Sequence, residues 1–98
     1  MPPLRIALGQ IDTTVGDFDG NAARIREASE LARAAGAGLV IFPELALCGY
    51  PPRDFLDQRE FLDRAARALA ELARPADWSR GLSLVIGFLA TIPRALEP

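Results

Sequence analysis

The chain has 98 residues, a formal net charge of −2 and a pI of about 5.0. It therefore holds one domain at most and offers no electrostatic reason to bind nucleic acid or an anionic membrane. Half of its residues are hydrophobic and 24% are charged, a globular balance, while the absence of lysine and histidine excludes any mechanism that must draw either from within.

The first residues, Met1-Pro2-Pro3-Leu4-Arg5, put no charged segment ahead of a long apolar core, so no signal peptide is expected. The longest apolar run, Leu84 to Ile92, falls well short of the roughly 20 residues that a bilayer span needs. A cytoplasmic location is the expectation. Cys48 is the single cysteine, which rules out an internal disulfide.

Leu4 to Ile11 predicts a first strand, followed by a polar turn region from Asp12 to Asn21. From Asn21 to Ala35 the period becomes helical, with Ile25, Ala28, Ala32 and Ala35 on one face and the charged residues largely off it. Gly36 and Gly38 end that helix. Leu39 to Phe42 reads as a second strand, apolar enough to be covered on both faces. Pro51 to Asp57 predicts a loop with a short helical turn. Gln58 to Arg74 predicts a second amphipathic helix with Leu62, Ala65, Leu69 and Leu72 inward, stopped by Pro75. A connector, Asp77 to Gly81, leads to a third apolar strand, Leu82 to Phe88. The order strand-helix-strand-helix-strand predicts an α/β fold with parallel pairing and right-handed crossovers.

Glu44 is the leading chemical candidate. It follows a buried strand directly, between Pro43 and an apolar segment, where open α/β sheets place their chemistry. A carboxylate there is expected to be partly desolvated and suited to act as a general base, although a structural Glu that caps a helix or pairs with an arginine fits the same residues. Cys48 lies four residues on, but no histidine or lysine exists to activate it, and it reads as a small buried hydrophobe. In Gly49-Tyr50-Pro51-Pro52, Tyr50 can line a substrate pocket or simply pack. Gly36-Ala37-Gly38 fails as a dinucleotide fingerprint, because it runs from helix to strand and lacks the third glycine. There is no Cys/His cluster with metal spacing. Trp78 reads as packing, and the arginines of the two helices, interleaved with acids, read as solvated faces.

At Phe42-Pro43-Glu44-Leu45 and Gly49-Tyr50-Pro51-Pro52-Arg53-Asp54-Phe55-Leu56 the chain resembles the nitrilase-like carbon–nitrogen hydrolases. Within them it is most similar to the glutaminase domains of glutamine-dependent NAD synthetases. Arg5-Ile6-Ala7-Leu8-Gly9-Gln10, Thr14-Val15-Gly16-Asp17, Gly20-Asn21 and Val85-Ile86-Gly87 agree with the same pattern, so the resemblance covers residues 4 to about 88. It implies part of a nitrilase-type αββα sandwich and a Glu-Lys-Cys triad. In such a triad the cysteine attacks the side-chain amide of glutamine, the glutamate is the general base and the lysine stabilises the oxyanion. Glu44 falls on the base position and Tyr50 on a position that lines the glutamine pocket. The ammonia released would amidate deamido-NAD in a separate synthetase domain, which uses ATP and Mg; this chain itself is expected to need no cofactor or metal.

The departures define the other expectations. The triad lysine and cysteine of the family lie beyond residue 98, and Cys48 is not at the nucleophile position. Residues 89–98 diverge from the pattern, so residues 1–98 read as an N-terminal fragment of the domain, from a frameshifted or truncated gene, and inactive alone. Two further readings remain. One is a non-catalytic interaction module that associates with itself or a homologue through open sheet edges. The other is a fragment of a different amidase or carbamoylase of the same superfamily.

Overall fold

Three short parallel strands alternate with two helices in the computed structural model, which describes residues 3–89. The order is β1 (Ile6–Leu8), α1 (Phe18–Ala34), β2 (Leu39–Ile41), α2 (Arg59–Leu72) and β3 (Ser83–Val85), with 3₁₀ turns at Arg53–Asp57 and Asp77–Ser79. The sheet order is β1-β2-β3, with Ala7 opposite Val40 and Val40 opposite Leu84. The alternation and the parallel pairing are those expected from the sequence. All of the divergent tail but residue 89 lies outside the described residues.

The strands are shorter than their apolar runs because backbone pairing, not composition, sets their ends. Around β1 the ladder runs from Arg5, whose carbonyl accepts from the Gly38 N–H at 2.9 Å, to Gly9, whose N–H donates to the Ile41 carbonyl at 2.8 Å. Beyond that the Gln10 N–H turns back onto the Leu8 carbonyl, so the predicted reach to Ile11 is not attained.

Helix α1 starts three residues before the predicted Asn21. Asp17 caps it, its side chain accepting from the Gly20 N–H at 3.0 Å and satisfying a donor that the helix itself cannot. The earlier start brings Phe18 inward, and its ring meets Phe61 of α2 at 5.2 Å. The buried stripe of α1 is Phe18, Asn21, Ala22, Ile25, Ser29 and Ala32, whereas Ala35, predicted to face inward, lies past the helix and is exposed. In α2 the buried residues are Phe61, Ala65 and Leu72, with Leu62 and Leu69 only half-buried. The stripe is turned toward Phe61 by its aromatic contacts to Phe18 and to Phe55, the latter stacked at 5.1 Å. Trp78 packs partly against the core, as expected.

Ala7, Val40 and Leu84 sit in register on one sheet face and join the core with Ile25, which is fully buried. Burying a side chain such as Val40 or Ile25 contributes about 1.5–3 kcal/mol. On the other face Leu8, Ile41 and Val85 form a row across the sheet, 69%, 36% and 49% exposed. The expectation that the second strand is covered on both faces is therefore not met among the described residues: the helices cover one face and leave an apolar face open. No helix among the described residues is long and apolar enough to cross a membrane.

Candidate active site

The chain leaves the carboxyl end of β2 into one turn, Glu44 to Cys48, and the segment just after β3 lies against it. The ladder carries past β2 as the Phe42 N–H donates to the Val85 carbonyl at 3.0 Å, so the chain reaches Pro43 still held to β3. It then turns. The Ala46 N–H bonds the Pro43 carbonyl at 3.2 Å and the Gly49 N–H bonds the Leu45 carbonyl at 2.8 Å. Leu45 adopts a left-handed conformation with φ 53°, a state that costs a non-glycine residue about 1–2 kcal/mol and has to be imposed by its surroundings.

The turn is fixed from behind by burial. Ala46, Leu47 and Cys48 are 1%, 2% and 3% exposed. Gly87, after β3, closes on the front of the turn, where a Cβ would lie 3.0 Å from the Leu45 nitrogen and 3.6 Å from the Glu44 Cα. Glu44 itself is exposed. The expectation of a partly desolvated carboxylate is thus corrected: the residues after Glu44 go into the core, and the turn holds Glu44 out at the carboxyl edge of the sheet. The position at the strand end is as expected.

Tyr50 lies beyond the far end of the same turn and is 62% exposed, so it is not a packing residue here. Between them Cys48 is buried, its Sγ 3.4 Å from the Gly49 carbonyl and 3.7 Å from that of Leu45. Burial pushes the Cys48 thiol up, partly opposed by its backbone hydrogen bond. A buried thiol held protonated is a poor nucleophile, consistent with the structural role expected for it. Because the folded state favours the protonated thiol, this group stabilises the fold below the ordinary thiol range and loses that contribution as pH rises through its raised value. Urea denaturation across alkaline pH is expected to show a loss of stability with rising pH that is smaller in Cys48→Ala, on top of a pH-independent loss in that variant from the buried sulfur's packing.

A second loop braces the turn. The Gly16 N–H donates to the Cys48 carbonyl at 2.9 Å, and Gly49, with φ 88°, lies flat against the backbone of Thr14 and Val15. Asn21, fully buried on α1, joins the two loops. Its Oδ1 accepts from the Thr14 N–H at 2.9 Å, and its Nδ2 donates to the carbonyls of Thr14 and Leu47 at 2.8 and 3.0 Å. The sequence shows Gly20-Asn21 only as a shared motif; nothing in its pattern marks the amide as a bridge.

The apolar hollow of about 310 Å³ between α2 and β3, lined by Leu69, Leu72, Trp78, Leu84, Ile86 and Phe88, touches neither Glu44 nor Tyr50. Among the described residues no group of three or more His, Cys, Asp or Glu side chains is placed to hold a metal ion.

The chain belongs to the carbon–nitrogen hydrolase family, whose profile matches residues 5–90. Within that family it is similar to glutamine-dependent NAD(+) synthetases. It is 37% identical over 89 residues to that of Thermotoga maritima, across 91% of this chain and 15% of the relative. It is 46% identical over 68 residues to that of Synechocystis, across 69% of this chain and 12% of the relative. The fold is similar to part of a glutamine-dependent NAD(+) synthetase from Cytophaga hutchinsonii, with a TM-score of 0.70 at 23% identity over 85% of this chain and 13% of that one. An amidase from Nesterenkonia gives a TM-score of 0.67 at 35% identity, over 85% of this chain and 31% of that one. The chain thus spans only a small part of the relatives it matches.

Proposed function

We propose that the chain is the Glu-bearing part of a glutaminase active site, in a parent protein that makes NAD from glutamine-derived ammonia. The observation that carries this reading is Glu44, held out at the carboxyl edge of the sheet by a strained, buried turn inside the segment that matches the family. Glu44 takes the proton from a cysteine thiol, and the thiolate attacks the carboxamide carbon of glutamine. Ammonia leaves as a thioester forms, and water then releases glutamate. Tyr50, exposed beside the turn, contributes its ring and hydroxyl to the pocket that receives glutamine.

The nucleophile and the oxyanion-stabilising lysine are supplied from outside this chain. The sequence contains no lysine, and its single thiol is buried. The purified 98-residue chain is therefore expected to release no ammonia from glutamine across the pH range in which it stays folded, as read by a coupled glutamate assay. Turnover that disappears on Glu44→Gln would show that the chain holds a complete site, and would sink this reading.

A further inference from the structure

We infer that Asn21 is a positioning residue, which fixes the turn carrying Glu44 by tying it through one buried carboxamide to the Thr14 loop. The inference rests on the reading of Glu44 as the site's carboxylate. The bonding geometry, however, stands independently of that reading and can be tested separately.

A buried carboxamide is costly unless its polar atoms are satisfied. Asn21, 0% exposed, spends both donors of its amide and one lone pair of its oxygen on backbone groups of two loops that do not otherwise belong to α1. Had the core needed only volume at this place, an apolar side chain would fill it without that cost. The helix beneath is a rigid base, since Phe18, Ala22 and Ile25 of the same stripe are buried in the core. The bond to the Leu47 carbonyl is the one that matters for chemistry. It grips the turn three residues after Glu44 and two after Leu45, whose left-handed φ must be imposed from outside. Glu44 is exposed, so its placement is decided by the backbone of this turn.

The test is amide hydrogen exchange and NOE spectroscopy on the whole chain and on Asn21→Leu, which keeps the branched shape of the side chain and removes the bonds. The amides of Gly16, Ala46 and Gly49 donate to carbonyls other than that of Asn21, and they close the braced turn. They are expected to exchange about tenfold faster or more in Asn21→Leu, while the amides of Ala65 to Leu72 in α2 keep their rates. The strong intraresidue amide–Hα NOE at Leu45, the mark of a positive φ, is expected to fade in the same variant. Unchanged rates at the three amides, or the same acceleration at every amide in the chain, overturns the proposal in favour of a merely structural asparagine. Should Asn21→Leu fail to fold, the unaltered chain decides. Once corrected for intrinsic exchange, its Asn21 side-chain amide protons and the three backbone amides should report one shared opening equilibrium, distinct from that of α2, and separate equilibria overturn the proposal. Failure here leaves the role of Glu44 open, because that role is read by glutamine turnover and not by exchange.

Discussion

Gly49→Ala is expected to destabilise the chain by roughly 2–5 kcal/mol, a large share of the roughly 5–15 kcal/mol that holds a domain folded. Two costs add. The backbone at Gly49 has φ 88°, where a Cβ is strained, and that Cβ would lie 2.5 Å from the Val15 Cα and 2.7 Å from the Thr14 carbonyl carbon. These are backbone atoms, held in turn by Asn21 and by the Gly16 to Cys48 bond, so they cannot step aside as a flexible side-chain end would. Gly81→Ala separates the two costs. Gly81 also has a positive φ, 73°, but a Cβ there would meet nothing within 4 Å, so only the conformational cost of about 1–2 kcal/mol applies. Urea denaturation of both variants measures the difference. Equal losses would mean that the two loops are not packed as tightly as described.

The same contact shows what the sequence could and could not tell. Strand and helix order was legible because Leu39 to Phe42 and Leu84 to Ile86 are continuous apolar runs, separated by segments of helical period. The place of Glu44 at a strand end was legible because an acid directly after such a run is unusual. Its exposure was not, since Ala46 to Cys48 look no more buried on paper than the residues before them. Phe61 was missed because the aliphatic residues of α2 already made a plausible stripe, and only the rings of Phe18 and Phe55 turn it. Asn21 read as a turn residue, which is the commonest place for asparagine. Its three bonds join Thr14 and Leu47, 7 and 26 residues away, a separation that no local pattern encodes. Which residues line the open face, Leu8, Ile41 and Val85, was hidden for a related reason. Burial on both faces and burial on one face give the same apolar run when the second layer lies elsewhere.

The largest functional effect is expected at Glu44 once the rest of the site is supplied. A chimera in which residues 5–90 of this chain replace the matching segment of a full-length NAD synthetase relative would supply the lysine and cysteine that the proposed reading needs around Glu44. In that chimera, Glu44→Gln is expected to lower glutamine-driven NAD formation by about 10²–10⁴-fold, the usual contribution of a general base. A carboxamide keeps the shape of the side chain and the exposed position but has no basic oxygen to accept the thiol proton. NAD formation driven by added ammonia should be unaffected, because ammonia bypasses the step in which Glu44 acts. The contrast between the two nitrogen sources gives the experiment its force. A variant that loses both activities has lost its fold or its coupling to the synthetase part, and would count against a catalytic role. A variant that keeps its glutamine-driven rate would show that the turn holds Glu44 at the sheet edge for some reason other than proton transfer.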